Sequence, residues 1–527
     1  MKTSNRSTLE KAVDLLRAKM DVNQYKRYIL TIMFYKALSE LDYKIEPKYK
    51  YQSLLKKAKS GKLKITDLQS ALQNIEEKCK LNGIFDDLDF NNHAFGSTSE
   101  NRTKLVSELL IVFEQTTWDT DRDALGDAYE QLLSQFAESA GKRDGEFYTP
   151  QAVSSLLTKL VLIGQHSTGK SFSVYDPAMG SGSLLLKFDK SEINHDDIAY
   201  YGQEINPETY NITRMNMILH GISEDQQSLL NVDTLEKNWR KDEKYNAVVM
   251  NPPYSLHWSG DKKYLKDVRY KEFNALPGKR KADYLFILDG LAHLAQDGSM
   301  AVVVPHGVLF RGAAEEKIRK KLIEMNKLDA VIGLPGNLFY STPIPVAVLV
   351  FKQQRENDDV MFIDASREFT KGKKQNQLTK QNVEKIISTY QQRKDVDKYA
   401  HKASYQEIKE NDFNLNIPRY VDTFEAEKEI NLGELNKELI KTDKEIRENQ
   451  SVLAEMFEQL TSTDENTENA IADLADYYRT SSAFDSELAL EASQALREGG
   501  TTETVEQAIN QLLKYIVINK EIPKELN

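Results

Sequence analysis

Cysteine is all but missing from this chain: Cys79 stands alone among 527 residues. That excludes an internal disulfide and any cysteine-rich metal site. Long apolar runs are missing too. Nowhere do about 18 apolar residues follow one another, the length at which a segment reads as a membrane-spanning helix. The opening Met1-Lys2-Thr3-Ser4-Asn5-Arg6 lacks the apolar core of a signal peptide. A soluble, cytoplasmic protein is expected, with no membrane contact. Histidines are few, and His220, His257, His293 and His306 show no ligand spacing, so no metal site is expected. What remains is the composition of a folded chain, 40% hydrophobic and 29% charged. Its length suggests roughly three domains.

The net charge of −11 looks wrong for a protein that handles nucleic acid. It is unevenly placed, however. Between residues 461 and 510 there are eleven acidic residues and two arginines, a balance of −9 that leaves the remainder close to neutral. Between 261 and 281 the sign reverses, with eight basic residues against three acidic ones. Lys271 is one of the eight; the other seven, Lys262, Lys263, Lys266, Arg269, Lys279, Arg280 and Lys281, are candidates for phosphate contact. A local basic stretch matters more for such contact than net charge does. A solvated loop would look the same.

Residues 9–118 repeat apolar side chains at helical spacing, as in Ala12, Leu15, Leu16 and Met20, then Tyr25, Ile29, Met33 and Leu38. A further helix is predicted over 123–139. Then the pattern alternates. Helices are predicted over 151–163, 207–220, 284–295 and 313–324, with another running from a Gly-rich turn through Leu186. Strands are predicted over 172–175, 198–203, 247–250, 299–304, 328–334 and 346–351. Strands separated by helices mean an α/β fold with a doubly wound, mostly parallel sheet. Beyond Tyr420 that pattern ends. Leu432, Leu435, Leu439, Thr442, Ile446, Asn449, Leu453, Met456 and Leu460 form an a/d seam with two polar interruptions. A long helix lying against its own domain would show the same spacing. Amphipathic helices are also expected around Ala470 and over 505–518. The division expected is a helical N-terminal domain (1–140), the α/β domain (141–420) and a C-terminal long-helix or coiled-coil region (421–527).

The apolar run Tyr245-Asn-Ala-Val-Val-Met250 reads as a buried parallel strand, and it stops at Asn251-Pro252-Pro253-Tyr254. Consecutive prolines forbid continuation as helix or central strand. The chain must leave the sheet there, projecting Asn251 and Tyr254 into the crevice beyond the strand's carboxyl end, where open α/β sheets bind ligands. An amide oxygen that accepts from an exocyclic amine, beside a ring that stacks on a flat heterocycle, suits methylation of a planar NH2 group. A chance turn would lack the accompanying acids.

Those acids are present. Val174-Tyr-Asp176-Pro-Ala-Met-Gly180-Ser181-Gly182-Ser183 follows a strand. Its glycines permit a tight turn and close ligand approach, and a helix N-terminus after it would offer free N–H groups. Asp176 would repel a pyrophosphate but suits an ammonium. Glu204 ends the next strand, 22 residues after Gly182, where an acid accepts from ribose hydroxyls. Asp233 follows a short strand and can receive an adenine amine. Acids at successive strand ends, spaced for amino acid, ribose and base, point to S-adenosyl-L-methionine. A competing pattern, G-x-x-x-x-G-K-[ST] over 164–171 with Lys170, spells a phosphate loop. It leaves a helix and enters a strand, the reverse of the order a phosphate loop needs, and is read as a connection.

With these motifs in this order the chain resembles amino-group DNA methyltransferases of the N6-adenine class. Gly145-Glu146-Phe147-Tyr148-Thr149-Pro150, Val303-Val-Pro-His-Gly-Val-Leu-Phe-Arg-Gly312 and Leu415-Asn-Ile-Pro-Arg-Tyr420 look like the modification (methylation) subunit of type I restriction-modification systems. The resemblance implies that Glu146, Phe147, Tyr148, Thr149, Pro150 and Gln151 close over the cofactor's methionine end. It implies double-stranded DNA as substrate and a separate specificity subunit that reads the sequence. A second copy of the methylation subunit belongs to the same assembly, and a restriction subunit can join. Many family members carry Phe where this chain has Tyr254, and either ring stacks. The mechanism expected is release of the target adenine from the duplex, stacking on Tyr254, and acceptance from N6 by the Asn251 side-chain oxygen and the Pro252 carbonyl. Two other readings use the same residues. A protein glutamine methyltransferase can carry the same turn, but such enzymes are far shorter. A binding-only scaffold with a degenerate site is opposed by the intact acids and turn.

Overall fold

The computed structural model describes residues 3–41, 43, 45–86, 88–114, 122–140, 148–165, 172–189, 198–340, 342–423 and 432–480. Glu146, Phe147, Lys170 and the helix expected over 505–518 lie outside the described residues. The chain forms two compact units, Met1–Phe424 and Glu425–Asn527. Among the described residues, no helix is long and apolar enough to cross a membrane.

The first unit opens with six helices, α1 Thr3–Arg17, α2 Val22–Glu40, α3 Tyr51–Lys59, α4 Ile65–Lys78, α5 Ser99–Phe113 and α6 Arg122–Ala140. Short polar side chains set their starts. Asp21 accepts from Gln24 N at 3.0 Å ahead of α2, and Thr98 from Asn101 N at 3.1 Å ahead of α5. The apolar faces close over a core that includes Leu16, Ile29, Leu68, Leu109 and Tyr129. That core also takes in Ile212, Met215 and Leu219 from the α/β region. The N-terminal helices are therefore continuous with the sheet domain.

The sheet has nine strands. In chain order these are β1 Phe172–Asp176, β2 Ile198–Glu204, β3 Gln227–Asn231, β4 Tyr245–Met250, β5 Leu294–Pro305, β6 Leu328–Gly333, β7 Val346–Lys352, β8 Val360–Asp364 and, after a separate hairpin of β9 Thr370–Lys371 with β10 Asn376–Gln377, β11 Ala400–Ala403. They lie side by side as β11-β8-β6-β7-β5-β4-β1-β2-β3. Only β7 and β11 run against their neighbours. The helices that cover the faces are α7 Gln151–Leu162, α8 Leu186–Asp189, α9 Pro207–Leu219, α10 Asp283–Ala292, α11 Gly307–Phe310, α12 Ala314–Glu324, α13 Lys380–Gln392 and α14 Tyr405–Glu410. The mostly parallel, doubly wound sheet is thus the one that the alternating pattern predicts.

Two local expectations need correction. No helix begins at Gly182: a turn holds the chain until α8. Gly180 and Gly182 have φ of 54° and 79°, left-handed values that a right-handed helix cannot contain. The helix expected to 295 ends at Ala292, because Leu294 already pairs with Tyr245 as the first residue of β5.

In the second unit α15 Leu432–Glu458 and α16 Glu465–Thr480 pack together. Phe457 stacks on Tyr478 with ring centroids 5.7 Å apart, and Glu458 pairs with Arg479. Leu439, Ile446, Leu453, Met456 and Leu460 of the seam are exposed.

Candidate active site

The order of the strands makes the site. β1 lies between β2 and β4, so the chain winds outward through β2 and β3 and then returns across β1. At such a reversal the loops from adjacent parallel strands part and leave a crevice at the carboxyl edge. Asp176, Glu204, Asp233 and Asn251 all come to that edge.

Asp176 is fully buried at the end of β1. Its Oδ1 accepts from Ala178 N at 2.9 Å, while Oδ2 has no hydrogen-bond partner among the described residues. Burial, and then the charge of Glu204, push this carboxyl up to about 8. Glu204 Oε2 accepts from Gly180 N at 3.1 Å and Oε1 from Asn206 N at 2.8 Å, so the acid ending β2 holds the glycine turn after β1. The turn is fastened again from α9, where Asn216 Nδ2 donates to Ser181 O at 2.9 Å. A Cβ on Gly182 would stand 2.8 Å from Thr213 Cγ2, so only glycine allows that packing. A Cβ on Gly180 would meet nothing within 4 Å: open space lies beside the turn. Ser183 is buried, and Asp233 is exposed with Oδ1 accepting from Leu235 N at 2.8 Å. A buried carboxyl group with an unmet oxygen, beside an open glycine turn, fits a ligand whose ammonium would favour its ionised form.

The Asn251-Pro252-Pro253-Tyr254 turn is bound from two directions. Asn251 is 6% exposed, and its Nδ2 donates to Thr149 Oγ1 at 3.1 Å. Its Oδ1 accepts from the Tyr254 hydroxyl at 2.8 Å. Thr149 is itself buried, just ahead of α7, so the 148–151 segment and the turn are locked across 102 residues of chain. Tyr148 is buried beside it, Pro150 caps α7, and Gln151 is exposed. Ser255 N donates to Asp283 Oδ1 at 3.0 Å, and Asp283 Oδ2 pairs with Arg311 at 3.0 Å. The segment 303–312 thereby anchors the residue that follows the Pro252-Pro253 turn. The Tyr254 ring meets Phe339 edge-on, with centroids 6.5 Å apart and an interplanar angle of 77°. Sequence reasoning missed Phe339, an apolar residue in a loop with no periodicity to mark it.

The basic segment follows the turn directly. Lys262, Lys263 and Lys266 lie on or at the end of a short 3-10 helix, Lys262–Lys266, and are exposed with Lys279 and Arg280; Lys281 is half-buried. Trp258 N donates to Lys279 O at 2.9 Å and Ala282 N to Leu256 O at 3.1 Å, which returns the segment alongside its own start. Arg269 does not belong with these residues. It is 2% exposed, with Nη1 at 2.9 Å from Asp289 Oδ1 and Nη2 at 2.8 Å from Asp267 Oδ2. Burial pushes the Asp289 carboxyl up, but His293 and Arg269 beside it prevail and hold it below the usual carboxylate range. Arg269 ties the basic segment to the core and is buried away from solvent.

The sequence matches the N-6 DNA Methylase family over residues 120–429 and the HsdM N-terminal domain over residues 5–113. The methylase subunit of the type I restriction enzyme MpnII from Mycoplasma pneumoniae is 35% identical over 521 residues, covering 85% of this chain and 95% of that protein. The MjaVIII methylase subunit from Methanocaldococcus jannaschii is 32% identical, covering 75% of this chain and 70% of that protein. A crystal structure of the type I restriction-modification methyltransferase subunit from Streptococcus thermophilus shares the fold with a TM-score of 0.77 at 41% identity, covering 80% of this chain and 100% of that one. A strand-end Asn-Pro-Pro-Tyr turn, a glycine turn held by two acids and a helical N-terminal region thus occur here with kinship over most of the chain, and the chain belongs to the N-6 DNA methylases, among the methylation subunits of type I restriction-modification systems.

Proposed function

We propose that this chain methylates N6 of an adenine flipped out of double-stranded DNA, using S-adenosyl-L-methionine. One observation carries the reading. At a single sheet edge a buried acid with an unmet oxygen, Asp176, stands beside the crevice that also receives Asn251, an amide whose nitrogen is tied down and whose oxygen faces an aromatic hydroxyl.

In this reading Asp176 holds the cofactor's ammonium, Glu204 accepts from its ribose hydroxyls and Asp233 receives its adenine amine. Gly180, Ser181, Gly182 and Ser183 let it approach the backbone, and Glu146 to Gln151 close over its methionine end. When bound, the cofactor supplies an electrophilic methyl group on a sulfonium. Asn251 Oδ1 and the Pro252 carbonyl accept from the adenine N6 hydrogens and leave its lone pair free to attack. Tyr254 stacks on the base, Phe339 walls the far side, and Pro253 keeps the turn rigid. As N6 acquires positive charge, the same amide oxygen stabilises it, a gain realised only in the transition state.

Lys262, Lys263, Lys266, Lys279, Arg280 and Lys281 contact phosphates, a sequence-independent attraction. Sequence reading belongs to a specificity subunit that docks on the exposed seam of α15, in a cytoplasmic assembly with a second copy of this chain and, where restriction accompanies modification, a nuclease subunit. The segments 1–140, 141–420 and 421–527 act as scaffold, methyltransferase and docking region. Transfer of label from S-adenosylmethionine to DNA or to a protein acceptor, with and without a co-purified partner, tests the reading. Label found in protein alone, or nowhere, would sink it.

A further inference from the structure

β6 and β8 run parallel to each other and, across antiparallel β7, in the same direction as β5, so the end of β8 at Asp364 opens onto the edge that carries Asn251. From there the chain forms the β9–β10 hairpin. Between Arg367 and Lys380 it carries five basic residues and one acid, Glu368, which Lys385 neutralises. Lys371, Lys373 and Lys374 are exposed. Lys371 and Lys373 make no ion pair with any described residue, and Lys374 pairs with Glu138 of α6 at 2.9 Å, a surface contact.

A hairpin with two-residue strands has little stability of its own. This one is fixed from outside. Asn376 N donates to Asn337 O at 2.9 Å, Asn376 Nδ2 to Gly336 O at 2.8 Å, and Asn337 Nδ2 to Lys374 O at 3.2 Å. Its tip closes at Gly372, where a Cβ would stand 2.4 Å from Gln375 O. The loop that receives these bonds carries Phe339, the ring that meets Tyr254. A cavity of about 520 Å³ separates the hairpin from the Tyr148–Gln151 side of the crevice. Amide contacts thus fix the backbone of a hairpin that carries three exposed lysines beside the loop of Phe339, two of them without an ion pair among the described residues and the third held by a surface glutamate.

We propose that the β9–β10 hairpin is a second phosphate-contacting element for duplex DNA, acting through Lys371, Lys373 and Lys374 and flanking the crevice opposite the 262–281 segment. The inference rests on the methyl-transfer reading of that crevice. In the strand order, β8 and β4, the strands that lead into the two basic elements, are four spacings apart, about 19 Å. When DNA binds, a phosphate replaces Glu138 as the partner of Lys374.

The test measures binding of the full chain to a mixed-sequence duplex over a range of salt. Lys371→Ala with Lys373→Ala and Lys374→Ala should weaken binding on every sequence alike. The slope of log affinity against log salt should become shallower by about one for each phosphate that is no longer neutralised. Glu138→Gln should act in the opposite sense, tightening binding by releasing Lys374. Affinity for S-adenosylmethionine should stay unchanged in both variants. A triple variant with the parent's salt slope overturns the proposal, as does one that loses cofactor affinity in parallel. Methyl incorporation by the unaltered chain is scored separately: its absence sinks the proposed activity, while the salt slope still decides the hairpin.

Discussion

The Tyr254 hydroxyl donates to the side-chain oxygen of Asn251 at 2.8 Å, so two groups of one tetrapeptide satisfy each other when no base is bound. In the proposed mechanism an arriving adenine takes over that oxygen. Tyr254→Phe keeps the ring and removes the competitor, so transfer should persist without a rise in KM for DNA. Tyr254→Ala removes the stacking surface and should weaken target binding by about 1–3 kcal/mol. Asn251→Ala should abolish transfer and leave cofactor binding largely intact. Labelled transfer and calorimetry check these outcomes, and loss of cofactor binding in a folded Asn251→Ala protein would contradict the assigned role.

Thr149 decides which end of the amide faces the crevice, because its Oγ1 accepts from Asn251 Nδ2 at 3.1 Å. Thr149→Val leaves a buried donor unmet, at a cost of about 1–3 kcal/mol, or lets the amide turn over. Either way kcat should fall roughly tenfold to a hundredfold, since each 1.4 kcal/mol is about one decade. Thr149→Ser should restore it. A valine variant as fast as the unaltered chain would show that the hydroxyl does not orient the amide, and a serine variant as slow as the valine variant would show that the hydroxyl alone does not account for the loss.

Asp176 should leave a pH signature. Burial and Glu204 raise its carboxyl to about 8 in the folded chain, against about 3.9 for an ordinary Asp. Between those values the folded state holds a proton that the unfolded state has released. The group's contribution to stability is therefore complete at low pH, falls as pH rises through that window, and is lost above it. Asp176→Asn should remove this part of the pH dependence of Tm. An ammonium prefers the ionised acid, so cofactor affinity should climb as pH approaches 8 and level off beyond it. Calorimetry across that range checks the point. A flat profile in the unaltered chain would take Asp176 out of the site.

The legible parts of this molecule were those written in local punctuation. Asp176, Glu204 and Asn251 each close an apolar strand, and strand ends in a parallel sheet share one edge, so local pattern was enough to collect them. What depends on distant partners was not legible. Arg269 counts as one more charge in a basic run until Asp289, on a helix further along the chain, is seen to bury it. The bond between Thr149 and Asn251 spans 102 residues and leaves no pattern in either segment. Phe339 sits in a loop where neither period applies. β8 and β11 are short strands bordered by polar loops, and only their neighbours in the sheet make them strands. The glycine turn was found, but its left-handed conformation forbids the helix expected there, and Thr213 on a distant helix leaves no room for a Cβ on Gly182.

The seam of α15 gives the last prediction. Leu439 is 52% exposed and Ile446 38%, and Leu453 and Met456 extend the same apolar row, while Leu460 lies past the helix end at Glu458. In the proposed assembly this apolar row is the docking surface, its a/d spacing suited to the helices of a partner. Leu439→Glu with Ile446→Glu places charges at positions already open to solvent, so the isolated chain should fold and bind S-adenosylmethionine as before. In a complex the same charges would be buried in an apolar interface without partners, a cost large enough to break it. Sequence-specific DNA binding and methylation should then disappear together, because the lysines proposed to contact phosphate would supply only weak, salt-sensitive attraction. Size-exclusion chromatography of the variant mixed with its specificity subunit decides the matter. A complex that elutes unchanged would place the docking surface elsewhere on the chain.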